Sequence, residues 1–234
     1  MKIFFTFLLL CCFTVQAQVF KIDTSEITYE NKLRTCLSVN FDADADFVKK
    51  AFKDYCKENF DVKIKGYGFL SNADIVSAED AIINIISDKR LNIYNRVIEM
   101  PNGGSESKLF ISFGYDFFLS PETFPNEFTS MYNMFNNFST KMLLDFYDTD
   151  IKSMNKKIKK VNRDTKSNSR DIKKYTKKVN SSKYSESEKL EFNGKIEIAK
   201  KNIESNNKEV VELNSKIKIY SQKLADIINP KLIN

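Results

Sequence analysis

From Leu144 onward, apolar residues recur at heptad spacing on two separate ladders, and this rhythm restricts the chain more than any other feature of it. Ile151, Ile158, Ile172 and Val179 take one core position, with Thr165 as the polar exception; Met154, Val161 and Tyr175 take the other, with Asn168 as the exception. A sustained 3.5-residue repeat is the pattern of helices that pack along a narrow seam. The rhythm breaks at Asn180-Ser-Ser-Lys-Tyr-Ser and resumes after Ser185-Glu-Ser-Glu188. That tetrad is a capping box, in which the serine hydroxyl and the glutamate carboxylate satisfy each other's free backbone donors. The second ladder places Ile196, Ile203, Val210, Ile217 and Leu224 at one position and Phe192, Ala199, Asn206, Leu213, Tyr220 and Ile227 at the other, and Pro230 closes it.

Folding the second ladder back on the first brings the two into register. If Val179 meets Phe192, every later layer has residue numbers summing to 371, down to Thr165 with Asn206 and Leu144 with Ile227. This predicts an antiparallel coiled-coil hairpin over 146–229, with a short tail at 230–234. A parallel dimer or larger oligomer would use the same ladders, but the six-residue polar turn and the matched layers favour the hairpin. The segment 144–179 would make an arm of about 54 Å. Thr165, Asn168 and Asn206 gather near its middle, where polar groups weaken packing but penalise wrong registers.

The outward positions of the first arm are basic. Lys152, Lys159, Lys166 and Lys173 form one line, Lys156, Arg163, Arg170 and Lys177 the line beside it, and Lys160 and Lys174 widen the stripe. Residues 146–179 carry 12 basic and 4 acidic side chains, whereas 186–228 carry 8 of each, so the charge is one-sided. The formal net charge of +6 conceals a further division, since 18–145 holds 14 basic against 19 acidic residues and 146–234 holds 22 against 12. A stripe of this kind is either a contact surface for an anionic partner or a solvated lysine-rich face. It has no interleaved aromatic rings on which bases could stack, which disfavours nucleic acid.

Residues 18–145 read as an α+β domain. Thr35–Phe41 alternates as a strand with Leu37, Val39 and Phe41 on one side. A helix then runs to Phe60, with Phe47, Val48, Ala51, Phe52 and Tyr55 as its apolar stripe. Asp61–Leu70 is expected as a strand with Val62 and Ile64 inward, and 71–90 is ambiguous by periodicity. Leu91–Met100 and Lys108–Phe118 form a hairpin across the turn formers of 101–107. Ser120-Pro121-Glu122 opens a helical stretch that Pro125 delays to about Asn126, and Phe128, Met131, Phe135, Phe138 and Met142 step along one face. The fold class is therefore a small antiparallel or mixed sheet with helices on one face, followed by the long C-terminal hairpin.

The N-terminus supplies an address. Lys2 precedes an apolar run from Ile3 to about Val15, and Val15-Gln16-Ala17 offers a peptidase site, so residues 1–17 read as a signal peptide cleaved before Gln18. The run is too short to span a membrane, and no transmembrane segment is expected elsewhere. Heavy use of Lys, Asn and Ile suggests a bacterium, so the expected destination is the periplasm or the exterior.

The chain has no histidine, which removes the commonest general base, the commonest zinc ligand and every Ser-His or Cys-His nucleophile. An enzyme would rest on carboxylates, Lys, Ser or Tyr, and no spacing singles any of them out. Asp42, Asp44 and Asp46 open like a calcium loop, but Phe47 stands at the glycine position and Lys53 at the bidentate glutamate position. Helix capping explains these aspartates better, and neither a metal site nor a cofactor is expected. Two cysteines, Cys36 and Cys56, follow the leader, so one disulfide is available to an exported chain. Their positions, one on the strand face opposite Leu37 and one at the edge of a helical stripe, equally suit two small buried residues.

The expected function is that of a non-enzymatic envelope protein whose arm meets a protein or an anionic envelope polymer, with oligomerisation left open. In outline the chain also resembles the Skp family, which combines a leader, basic character, a strand-containing body and coiled-coil hairpin arms. The resemblance is one of architecture and implies a periplasmic holdase chaperone as the alternative. Here the hairpin follows the body instead of being inserted in it.

Overall fold

A computed structural model describes residues 19–66 and 74–229. The expected signal peptide, the tail at 230–234 and part of the strand expected over 61–70 lie outside the described residues. The elements in chain order are β1 (Asp23–Tyr29), β2 (Lys32–Phe41), α1 (Ala45–Phe60), β3 (Ile75–Ala81), β4 (Leu91–Glu99), β5 (Ser105–Ser112), α2 (Pro125–Val179) and α3 (Glu186–Ile228). Among the described residues the five strands form one antiparallel sheet in the order β1-β2-β5-β4-β3.

The alternation of β2 decides which side of the sheet is covered. Leu37, Val39 and Phe41 join Ile93, Val97, Leu109 and Ile111 in a buried face against which α1 and the first half of α2 pack. The rings of Phe41, Phe52, Tyr55 and Phe135 surround Phe138 at centroid distances of 5.2–6.3 Å, mostly edge to face. That geometry suits aromatic quadrupoles and locks both helices to the sheet. On the opposite face Tyr29, Tyr94, Phe110 and Phe118 form a smaller cluster, over which the Arg34 guanidinium sits 4.3 Å from the Phe118 centroid.

Several local expectations change. β1 has no turn signal to mark it in the sequence, because the β1–β2 turn is Glu30-Asn31 in place of a glycine pair; both residues adopt positive φ, 51° and 59°, as a two-residue hairpin turn requires. Val62 and Ile64 are buried as expected, yet 61–64 is not strand, and Lys65 alone bridges to Ser77. The ambiguous 71–90 stretch supplies β3. Ser120 opens only a turn, with its hydroxyl accepting from the Thr123 N–H at 3.2 Å, and regular helix starts at Pro125.

α2 is one unbroken helix of 55 residues, about 82 Å long. Its first half covers the sheet and its second half pairs with α3, so the charge boundary at 145/146 falls within a helix. The main core continues across that point to Tyr147, Met154 and Tyr220. α2 and α3 pack as an antiparallel helical hairpin, with Tyr147 beside Tyr220 at the base (centroids 4.9 Å), Lys157 paired with Glu209 at 2.7 Å, and Tyr175 stacked on Phe192 near the turn (5.8 Å). The Asn206 amide donates to the Thr165 hydroxyl at 3.0 Å, joining two residues of one expected layer. The Ser185–Glu188 capping box is present in both directions.

Candidate functional site: a basic seam along the hairpin

Heptad spacing that turns Met154 and Val161 toward α3, where they are 7% and 6% exposed, necessarily turns another pair of heptad positions away from it. Those positions hold Lys152, Lys156, Lys159, Arg163, Lys166, Arg170, Lys173 and Lys177, and all eight are exposed. They follow one another by alternating steps of four and three residues. The two lines therefore interleave into a single file along α2, a seam of charge opposite the seam of packing.

The file is largely without counter-charge. Lys152 pairs with Asp148 at 2.6 Å. The other seven make no ion pair among the described residues. On α3, Lys189, Lys195, Lys200 and Lys208 each pair with a glutamate one turn away, at 2.5–2.8 Å, and Lys223 pairs with Asp42, so that among the described residues only Lys201, Lys216 and Lys218 of that helix make no ion pair. One further row adjoins the seam at the same heptad interval, composed of Asn155, Asn162, Ser169 and Thr176, all neutral amides or hydroxyls. Near the turn, Tyr175, Tyr184 and Phe192 cluster with the Lys178 ammonium, which lies 4.8 Å from the Phe192 centroid.

The remaining candidates are internally satisfied. A groove between α1 and α2, of about 260 Å³, carries four of its charges as pairs, Lys141 with Glu58 at 2.7 Å and Lys50 with Asp54 at 3.2 Å. Asp44 caps α1 by accepting from the Phe47 N–H at 2.7 Å, as expected of it. Asp42 has a role that spacing did not reveal. It accepts from the Tyr147 hydroxyl of α2 at 2.7 Å and from the Lys223 ammonium of α3, and so ties both helices to the end of β2. Burial pushes the Asp42 carboxyl up, but the hydrogen bonds from Lys223 and Tyr147 and the charges of Lys223 and Lys216 outweigh it and hold the group below its ordinary value. Among the described residues no cluster of three or more acidic or cysteine side chains could hold a metal ion.

Cys36 and Cys56 are both free and buried. They lie on opposite sides of the sheet, Cys36 in the outer aromatic cluster and Cys56 in the main core, so the disulfide open to them on sequence is not formed here. Burial raises the Cys36 thiol to about 11 and the Cys56 thiol to about 12. Among the described residues no helix is long and apolar enough to cross a membrane.

Comparison of the chain with known protein families, with curated proteins and with solved structures finds no match.

Proposed function

We propose that the chain is an exported, non-enzymatic interaction protein of the bacterial envelope, whose α/β body carries a coiled-coil arm that presents the basic seam to an anionic polymer or an acidic protein surface. The observation that carries this reading is the difference between the two helices. Lys189, Lys195, Lys200 and Lys208 of α3 are neutralised within their own helix, whereas seven consecutive cations of the α2 seam make no ion pair among the described residues. An unpaired row sustains positive potential along its length, which draws in an anionic partner and fixes its direction. A merely solvated face gains nothing from leaving one helix unbalanced when the other is balanced.

Retention of the chain from Gln18 onward on immobilised dextran sulfate, at low and moderate salt, tests the reading. Strong retention that falls with salt, and falls further in K156Q/R163Q/R170Q/K177Q, is expected. Retention that ignores these four substitutions would refute it.

The second reading is a holdase chaperone with hairpin arms, supported by the large apolar side chains that α3 leaves in solvent, Leu190, Ile198, Val211 and Ile219. It requires a defined oligomer by light scattering and suppression of aggregation of unfolded clients. A monomer that leaves aggregation unchanged would remove it.

A further inference from the structure

The seam is a file, and its spacing carries information about what could lie along it. Steps of four and three residues give a mean rise of about 5 Å per cation, and the file from Lys152 to Lys177 runs for about 38 Å. It is narrow, widened on one flank only at Lys160 and Lys174. On one side it is bordered by Asn155, Asn162, Ser169 and Thr176, of which all but the half-buried Ser169 are exposed. A planar anionic surface would have no use for a neutral border repeated in register with a narrow file. A folded acidic protein would be met by side chains organised by counter-charges, and seven of these have none.

Resting on the reading that the seam meets an anionic partner, we propose that this partner is a single linear acidic polysaccharide bearing about one carboxylate per sugar, extended along α2. The span of a pyranose residue across its two linking oxygens is comparable to the rise per cation, so successive carboxylates meet successive ammonium or guanidinium groups. The amide and hydroxyl row lies where sugar hydroxyls would need donors and acceptors. Duplex nucleic acid fits less well, because it presents one charge per ~1.7 Å of axis, several phosphates for each cation of the file. The seam also lacks the aromatic platforms that hold single strands.

Calorimetric titration of the chain from Gln18 onward with oligogalacturonates of two, four, eight and sixteen sugars, with duplex DNA and polyglutamate of equal charge for comparison, tests the assignment. Affinity should climb steeply up to about eight sugars, one per cation of the file, and then rise only by the statistical factor for longer chains. The variant K156Q/R163Q/R170Q/K177Q should lose about tenfold or more through the lost contacts. K159Q/K166Q/K173Q, which empties the other line, should lose as much, while K189Q/K195Q/K200Q/K208Q, which removes four charges from α3, should bind like the parent. Affinity independent of oligomer length, equal losses in the α3 variant, or binding of DNA or polyglutamate in preference to oligogalacturonate would overturn the polysaccharide assignment and leave a less selective anionic seam. Binding to none of the polyanions would overturn both this assignment and the reading on which it rests.

Discussion

The Tyr147 hydroxyl, carried on α2, donates a 2.7 Å hydrogen bond to the Asp42 carboxylate at the end of β2, and this contact joins the long helix to the sheet where the hairpin leaves the body. Tyr147 is 1% exposed, so its hydroxyl cannot exchange that acceptor for bulk water. Lys223 of α3 reaches the same carboxylate. Three elements distant in sequence thus share one acceptor, and the base of the hairpin is held by it.

Tyr147→Phe should lower stability by about 1.5–3 kcal/mol, the usual worth of a hydrogen bond to a charged group. Urea denaturation of the parent and variant measures it. A change within a few tenths would mean that the hydroxyl is dispensable and that ring packing against Tyr220 holds the joint.

Asp42 also sets a pH dependence. Its carboxyl is depressed in the folded chain, so the stabilisation it provides is present above the unfolded aspartate value of about 3.9 and is lost as pH falls through the folded value. The stability difference between the parent and Asp42→Asn should therefore be full at neutral pH and shrink as the medium is acidified below about pH 4. A difference that stays constant to lower pH would place the contribution in packing instead of charge. Tyr147 acts at the other extreme. Burial and the Asp42 hydrogen bond raise its phenol well above the ordinary range, so its share is lost as pH rises beyond the unfolded value of about 10.

The Thr165–Asn206 hydrogen bond sits among apolar layers and should behave as a register device. Asn206→Leu alone leaves the half-buried threonine hydroxyl without this partner and should cost about 1 kcal/mol, whereas T165V/N206L together should be neutral or stabilising. Thermal unfolding followed at 222 nm distinguishes these outcomes through a double-mutant cycle. Additive losses would show that the two residues are not coupled.

Glycine is required at one of two neighbouring turn positions far more than at the other. Gly103 and Gly104 both have positive φ, but a Cβ at Gly103 would meet nothing within 4 Å, whereas one at Gly104 would be driven into the carbonyl oxygen of Phe41. Gly103→Ala should cost about 1 kcal/mol for its backbone conformation alone, and Gly104→Ala clearly more. Equal midpoints in urea would contradict the close approach of the turn to β2.

Both thiols should be silent in the native chain and reactive in the unfolded one. Burial keeps Cys36 and Cys56 protonated at neutral pH and shields them from reagent. Titration of the chain from Gln18 onward with a thiol-specific chromogenic disulfide should find no accessible thiol in the native state and two, Cys36 and Cys56, after denaturation without reductant. Finding none after denaturation would reveal a bond.

Periodicity carried far in this chain. The heptad ladders located both long helices, the turn between them and its capping box, because a repeat that buries one helical face is a local property that needs no knowledge of the partner. The same repeat located Lys152 to Lys177 as an outward file. Short-range pattern likewise located β2 and β4, whereas the strand expected over Lys108–Phe118 is β5 at Ser105–Ser112, which starts inside the expected turn and leaves Phe118 only an isolated bridge to Ser112. What the sequence could not settle by itself was everything that depends on a neighbour distant along the chain. β1 and β3 pair through sheet edges, and their few inward residues give too short a pattern to separate from loop. The sheet-covering helix and the hairpin arm are one continuous α2, because helical hydrogen bonds run through 145/146 while the buried face changes partner from sheet to α3. Only the tertiary arrangement brings Asp42 to Tyr147 and Lys223, separates Cys36 from Cys56 by the thickness of a sheet, and leaves seven cations of the α2 seam without an ion pair among the described residues while Lys189, Lys195, Lys200 and Lys208 of α3 find glutamates one turn away.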